Sequence, residues 1–105
     1  MFSEPLLCLI IWHFIADIPL QPPVLADGKR KPGLAGIAML GTHGLIHGIG
    51  TGLILGSVWV ALAETLVHAL VDWGKCRKYY GLIPDQCAHL SFLVLWFFIF
   101  QTSAM

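Results

Sequence analysis

Charged residues are scarce in this chain. They account for 11% of its 105 residues, and hydrophobic residues account for 57%, whereas water-soluble domains carry about 25% charged residues. The mean hydropathy is correspondingly high, at +0.79. These values argue against a water-soluble domain and predict a protein that is embedded in the lipid bilayer.

Cysteine is also rare, and the chain has no net charge. The three cysteines are Cys8, Cys76 and Cys87. The last two lie beside segments that we expect on the cytoplasmic side, so we expect small apolar packing residues rather than a structural disulfide. The formal net charge is zero. This balance does not indicate a nucleic-acid partner or an acidic partner.

Basic residues are missing from both ends of the chain and lie in two clusters between apolar stretches. Short cytoplasmic loops of membrane proteins collect such residues, so both termini are expected on the opposite side. We expect no removable signal peptide, since no small-residue cleavage pattern follows the first apolar run. The tryptophans, including Trp12, Trp73 and Trp96, are expected to face lipid or to lie at the lipid interface. The basic residues are Lys29, Arg30, Lys31, Lys75, Arg77 and Lys78.

The chain is long enough for four spans of about 20 residues, given a rise of about 1.5 Å per residue and a hydrocarbon core of about 30 Å. Pro22 and Pro23 end the first helix, and Pro84 suits the first turn of the last one. The sequence predicts one all-α domain over residues 1–105, a polytopic four-helix transmembrane bundle with both termini on the non-cytoplasmic side. The predicted helices cover about 3–21, 34–55, 58–79 and 84–102.

Glycine recurs at every fourth position of the second predicted helix, at Gly44, Gly48, Gly52 and Gly56. These positions line one flank, where the lack of side chains lets another helix approach closely. The same surface predicts a homo-oligomer. Because glycine clusters also mark loops, the alternative is a break at residues 48–52 that leaves this helix too short to cross a membrane.

Ionisable side chains lie inside the predicted helices. Each costs about 2.5–3.5 kcal/mol at the centre of a membrane helix, so nine of them need mutual pairing, water or a metal ion. They follow four-residue steps, which place the side chains of one helix on one face. Heights counted from the helix ends bring them together in the cytoplasmic leaflet. They are His13, Asp17, His43, His47, Glu64, His68, Asp72, Asp85 and His89.

Imidazole and carboxylate groups without a thiolate motif suit a divalent transition metal. Zinc fits this donor set, manganese and iron are alternatives, and the number of candidates would serve one or two ions. Gln21, Lys75 and Gln86 flank the polar residues near the cytoplasmic edge, where we expect them to orient ligands or hold a substrate anion. A hydrogen-bonded network without metal and a proton or ion path are the alternatives.

The order and spacing of the polar motifs resemble the bacterial and phage membrane family named domain of unknown function 3307. That family is similar in turn to membrane-bound metal-dependent hydrolases whose histidine and aspartate patterns resemble zinc-dependent phospholipase C. The resemblance implies a multi-pass protein of the bacterial inner membrane that hydrolyses a phosphoester, with Glu64 or Asp72 as general base. The motifs are His13-Phe-Ile-Ala-Asp17-Ile-Pro-Leu-Gln21, His43-x3-His47, Glu64-x3-His68-x3-Asp72-x2-Lys75 and Asp85-Gln86-x2-His89.

Two other functional classes fit the same residues. A small ion or proton transporter would use the polar side chains as its path. A structural accessory subunit of a membrane complex would use them only to fix the helix register. The leading prediction is a membrane-embedded metal-binding protein that acts as a metal-dependent hydrolase and opens to the cytoplasm.

Overall fold

The computed structural model describes residues 3–18 and 20–104, and within them it contains helices and no strand. The all-α prediction is therefore confirmed for these residues. Positions 1, 2, 19 and 105, which the predicted single domain includes, lie outside the described residues. In chain order the helices are α1 (Ser3–Asp17), α2 (Pro23–Gly28), α3 (Gly33–Leu55), α4 (Val58–Cys76) and α5 (Leu82–Ala104).

The first helix ends at Asp17 and not at position 21 as predicted. Gln21 precedes a proline, and such a residue is pushed out of the helical region. Its side-chain amide instead donates to the carbonyl oxygen of Asp17 at 2.9 Å, which satisfies one of the unpaired carbonyls at a helix end. The following segment, predicted as a loop, contains α2, whose first residue is Pro23. A proline is favourable there because the first helical amide needs no partner.

The connection between α4 and α5 also differs from the prediction. α4 ends at Cys76 rather than at position 79, and α5 begins at Leu82 with Pro84 in its first turn. Lys78 adopts a left-handed conformation with φ of 65°. The hydroxyl of Tyr80 donates to the carbonyl oxygen of Val71, so the chain folds back against the end of α4.

α3 is continuous through residues 48–52, so the alternative of a break at that point is wrong. A turn joins α3 to α4, with Gly56 in the left-handed conformation at φ of 66° and the side chain of Ser57 accepting a hydrogen bond from the amide of Val60. Gly44, Gly48 and Gly52 are buried. The close approach that they permit is used by α4 of the same chain.

The glycine row therefore leaves little surface for a second copy. A Cβ on Gly44 would lie 2.7 Å from the carbonyl oxygen of Thr65, and one on Gly52 would lie 2.5 Å from the Cβ of Ala61. Of the four glycines only Gly56 is exposed. Homo-oligomerisation through this row stays a prediction, and Gly56 is the position at which it could occur without separating α3 from α4.

Replacing Gly48 by alanine is expected to destabilise the pair formed by α3 and α4. The added Cβ would lie 2.5 Å from the carbonyl oxygen of Ala61 and closer still to the hydroxyl of Thr65. Overpacking of this kind costs about 1–3 kcal/mol. The measurement is thermal unfolding of the purified protein in detergent.

Gly41→Ala is the matched control for this substitution. None of the described residues lies within 4 Å of its added Cβ, and the higher helix propensity of alanine should leave stability unchanged or raise it. Equal unfolding temperatures for Gly48→Ala and Gly41→Ala would contradict the close packing of α3 on α4.

Two of the described helices are long and apolar enough to cross a membrane, namely α3 and the Leu82–Phe100 part of α5. The other two predicted spans do not meet this description. α1 has 15 residues, fewer than the about 20 that an upright span needs. α4 contains Glu64, Asp72 and Lys75, which lower its hydropathy. By length and composition, the described residues therefore provide two candidate spans rather than four.

The interior of the bundle is mostly polar and its outer surface is apolar. Among the described residues, ten polar or charged side chains are buried, compared with seven hydrophobic ones. A small apolar cluster of Leu9, Leu93 and Phe97 lies toward the end where α3 finishes. Large apolar side chains point outward along all the long helices; Leu34 and Leu53, for example, are 81% and 78% exposed. This distribution is inverted relative to water-soluble domains.

Candidate metal centre

All nine predicted ligand residues lie in the interior between α1, α3, α4 and α5. Eight of them are only 1–2% exposed, and the side chain of Asp17 is 16% exposed. The four-residue steps explain this burial, because they place both side chains of each pair on the same inward face of a helix. The distances between the residues then decide which of them can share one ion.

Asp17, His43, His47 and His68 form a compact set, called the four-ligand group below. One ligand atom from each lies within 4.8 Å of the others. The Oδ1 atom of Asp17 accepts hydrogen bonds from His43 Nε2 at 3.0 Å and from His47 Nε2 at 2.9 Å, and it lies 3.9 Å from His68 Nε2. Ligand atoms that bind zinc at about 2.0–2.1 Å in a tetrahedron are separated by about 3.3 Å. Small side-chain movements would reach that arrangement.

His68 has the least satisfied imidazole of the group. Neither of its ring nitrogens has a hydrogen-bond partner among the described residues, although the residue is only 1% exposed. Its ring stacks between those of His47 and His89, with centroid distances of 3.6 Å and 3.9 Å. An unpaired buried polar atom costs about 1–3 kcal/mol. The Nε2 atom of His68 is therefore available to bind a metal ion.

His13, Asp85 and His89 lie beside the four-ligand group rather than in it. His13 Nε2 donates to Gln86 Oε1 at 2.9 Å and lies 3.5 Å from Asp17 Oδ2. The Gln86 amide donates to Asp17 Oδ2 at 3.1 Å and to Asp85 Oδ2 at 3.2 Å. The other oxygen of Asp85 lies 3.2 Å from His89 Nε2. Gln86 thus orients the carboxylate of Asp17. His13, Asp85 and His89 lie around the hydrogen bond between Gln86 and Asp17.

Glu64, one of the two predicted catalytic carboxylates, contacts the four-ligand group through a histidine. Its Oε2 atom lies 3.6 Å from His68 Nδ1, and its Oε1 atom accepts a hydrogen bond from the indole of Trp96 at 2.9 Å. The expectation that Trp96 faces lipid or lies at the lipid interface does not include this contact. The indole N–H is the only polar group of a tryptophan, and nothing in the sequence shows that it turns inward.

Asp72, the other predicted catalytic carboxylate, forms a buried ion pair. Its Oδ2 atom lies 2.6 Å from Lys29 Nζ and 3.9 Å from His43 Nε2, and its Oδ1 atom lies 3.9 Å from Lys75 Nζ. Lys29 is only 5% exposed. Assigning it to a solvated basic loop misses this role, because no sequence feature distinguishes it from its two basic neighbours.

Carboxylates outnumber ammonium groups in this interior. If all four carboxylates are ionised and the imidazoles are neutral, two negative charges have no counterpart among the two lysines of the cluster. Uncompensated charge is costly in a low-dielectric interior. One divalent cation would neutralise the cluster, and two imidazolium protons would do the same. The groups concerned are Asp17, Glu64, Asp72, Asp85, Lys29 and Lys75.

A groove of about 340 Å³ between α1 and α5 connects the outer surface with Asp17. Asp17 is also the most exposed member of the four-ligand group. All three residues that were predicted to flank the polar cluster line the groove. The groove therefore reaches the four-ligand group at Asp17. The polar lining residues are Asp17, Gln21, Lys75 and Gln86, and the apolar ones are Phe14, Ile18 and Leu82.

Comparison with known protein families gives a match over most of the chain. The model of the family described as "Protein of unknown function (DUF3307)" matches residues 6–105, a range that includes the four-ligand group and the groove. No curated protein and no solved structure matches the chain. Since the match covers nearly the whole chain, the protein belongs to the DUF3307 family.

Proposed function

We propose that this protein is an integral membrane protein in which α1, α3, α4 and α5 all span the bilayer, with the bilayer thinned around the 15-residue α1. The polar interior and apolar exterior support this proposal, because a membrane bundle turns its ionisable groups inward and its apolar side chains toward lipid. Glu64 and Asp72 of α4 are buried against other helices. Their charges therefore do not prevent α4 from crossing the bilayer as part of the bundle.

The basic residues support an orientation with both termini outside the cytoplasm. Lys29 pairs with Asp72, and Lys75 lies 3.7 Å from Asp85, so both basic segments lie at the same end of the bundle. Positive charge marks the cytoplasmic ends of membrane helices. We assign the multi-pass protein to the bacterial inner membrane, as its resemblance to bacterial and phage proteins implies.

We further propose that the four-ligand group binds one divalent transition metal. The observation that carries this proposal is the presence of four ligand atoms from three helices within 4.8 Å of one another. Three imidazoles and one carboxylate form a donor set suited to zinc, with manganese or iron as alternatives. The charge balance supports a divalent ion. A second ion would have to use the donors outside the group.

Protein purified without chelator is expected to contain about one equivalent of metal per chain, since the four-ligand group can hold one ion. Elemental analysis by mass spectrometry measures this content. Zinc at 100 times its dissociation constant should raise the free energy of unfolding by about 2.7 kcal/mol. The double variant His43→Ala/His68→Ala should lose both the metal and this response. Wild-type protein without metal, together with unchanged thermal stability of the double variant, would contradict the proposal.

Metal-dependent hydrolysis of a phosphoester is the activity that we propose for this centre. An ion held by Asp17, His43, His47 and His68 would act as a Lewis acid and activate a water molecule for attack, provided that it accepts a fifth ligand or that one of the four ligands is released. The groove provides access, and Lys75 provides a cation for the substrate. Asp72 would act as general base through its Oδ1 atom, which lies 3.9 Å from Lys75 Nζ, since Lys29 holds its Oδ2 atom at 2.6 Å and lowers the basicity of that oxygen. Glu64 contacts His68 and is better placed to orient that ligand.

Ion or proton transport is the second candidate function. It is favoured by the run of buried polar groups from Lys75 and Asp85 at the cytoplasmic end through His89 and His68 to Glu64. Hydrolysis of bis-p-nitrophenyl phosphate and ion flux into liposomes separate the two candidates. Flux that Glu64→Gln abolishes would favour transport, whereas metal-dependent hydrolysis without flux would favour the enzyme. A structural accessory subunit would show neither and would tolerate glutamine in place of its histidines.

A further inference from the structure

We infer that the groove between α1 and α5 binds the phosphorylated headgroup of a membrane lipid, which enters sideways from the cytoplasmic leaflet. This inference rests on the proposed metal site and names its substrate class. The shared chemistry is a phosphoryl group, and the lipid is favoured over a soluble phosphoester by the composition of the groove walls.

The apolar wall of the groove belongs to the outer surface of the bundle. Phe14, Ile18 and Leu82 are 43%, 70% and 59% exposed, and they lie on α1, just after α1 and at the start of α5. In the proposed orientation these side chains meet acyl chains. A lipid tail could therefore lie along them while its headgroup enters the groove, whereas a water-soluble phosphoester would gain little from them.

The polar end of the groove has an ammonium group that retains its hydrogen-bonding capacity. Lys75 Nζ lies 3.9 Å from Asp72 and 3.7 Å from Asp85, and no hydrogen bond joins it to another described residue. Lys29 differs, because its Nζ lies 2.6 Å from a carboxylate oxygen. Lys75 can therefore donate to phosphate oxygens, and hydrogen bonds between charged groups are the stronger ones.

A second polar atom in the groove also lacks a partner. The Oε1 atom of Gln21 is buried and accepts no hydrogen bond from the described residues, while its amide nitrogen is engaged with the backbone of Asp17. It needs a donor such as a hydroxyl group. A phosphorylated lipid with a free hydroxyl or a protonated phosphate oxygen would supply one next to the phosphoryl group.

Metal and headgroup binding should depend on each other. Without an ion, the carboxylates of Asp17, Asp72 and Asp85 outnumber the ammonium groups of Lys29 and Lys75 at this end of the cluster and repel a phosphate. A divalent cation at the four-ligand group reverses this balance and adds a positive charge close to Asp17. Phosphoryl binding in the groove is therefore expected only when the metal is present.

The test uses the full-length protein in dodecyl maltoside, loaded with zinc, with lipid binding measured by native mass spectrometry. The probes are dioleoyl phosphatidic acid, dioleoylglycerol, which lacks the phosphate, and inorganic phosphate, which lacks the lipid. Phosphatidic acid should bind saturably and more tightly than either of the others, and chelation should abolish its binding. Lys75→Gln should weaken its binding about tenfold, the loss expected for one hydrogen bond between charged groups.

Two matched controls accompany the variants. Lys78→Gln makes the same change at an exposed lysine of the loop after α4 and should leave binding unchanged. Ile18→Trp should fill the groove and weaken binding without affecting metal content, whereas Leu34→Trp, at a residue that is 81% exposed, should have no effect.

Several results would overturn the inference. Equal binding of phosphatidic acid and dioleoylglycerol would show that the phosphate does not contribute to binding. Equal binding of phosphatidic acid and inorganic phosphate would show that the lipid tails do not contribute. Equal effects of Lys75→Gln and Lys78→Gln on binding would show that the headgroup does not bind in the groove. Metal content is measured on the same samples. Metal-containing protein that binds no phosphatidic acid overturns this inference alone, whereas protein that takes up no metal overturns the proposed metal site as well.

Discussion

Asp17→Asn is expected to abolish stoichiometric metal binding. The Oδ1 atom of Asp17 lies 3.0 Å, 2.9 Å and 3.9 Å from the Nε2 atoms of His43, His47 and His68, so this carboxylate is the centre of the four-ligand group. Asparagine keeps the shape but removes the charge, and a neutral amide is a weak ligand for zinc. Loss of even a group that orients a ligand lowers metal affinity about 10–100-fold, and loss of a ligand should exceed that. Elemental analysis measures the metal per chain.

The control for this substitution is Asp27→Asn, which makes the same change at an exposed residue of α2 and should retain the metal. Asp17→Asn removes one of the uncompensated negative charges but weakens the hydrogen bonds that the carboxylate accepts from His43, His47 and Gln86, so the thermal stability of the metal-free variant is compared with that of metal-free wild type. Loss of metal without loss of stability would separate ligand removal from unfolding. A full equivalent of metal in Asp17→Asn would exclude the four-ligand group as the binding site.

Lys29→Met is expected to lower the free energy of unfolding by about 3–5 kcal/mol, which is the usual cost of removing one partner from a buried ion pair. Lys29 Nζ lies 2.6 Å from Asp72 Oδ2, and the two side chains are 5% and 3% exposed. The substitution keeps most of the apolar stem but leaves the Asp72 carboxylate without its nearest cation. Reversible unfolding in mixed detergent micelles measures the loss.

Two further variants show whether the ion pair is responsible. Lys31→Met makes the same change at an exposed position of the same basic cluster and should have little effect. The double variant Lys29→Met/Asp72→Asn removes both charges and should be more stable than Lys29→Met alone, because residues that share an interaction are not additive. Equal stability of Lys29→Met and Lys31→Met would show that Lys29 is not held in the interior.

The inward-facing residues of the site could be predicted from spacing, whereas their grouping could not. A four-residue step shows that His43 and His47 share a face of one helix. It does not show how far that face lies from Asp17 or His68, since distances across a bundle depend on helix rotation and on the close approach of α3 to α4. Sequence reasoning therefore proposes nine ligands, and the structure brings four of them within reach of one ion.

The fold shows the same division. The apolar stretches and prolines locate the four long helices, although α1 and α4 end at Asp17 and Cys76, before the predicted positions 21 and 79. The short helix α2 is missed because six residues, Pro23–Gly28, are too few for a periodic pattern. Length and composition identify two of the described helices as candidate spans. For α4, hydropathy is a poor guide to whether the helix crosses a membrane, because its polar residues are buried in the bundle and do not face lipid.

The sequence by itself determined the helical class, the two basic clusters between helices and the inward polar face of each long helix, because these properties depend on the local order of residues. The tertiary structure decided the partners of these faces: Lys29 with Asp72, Trp96 with Glu64, and Asp17 with the histidines of α3 and α4. Such pairings depend on how separate helices pack and rotate against one another. A periodicity within one helix contains no information about them.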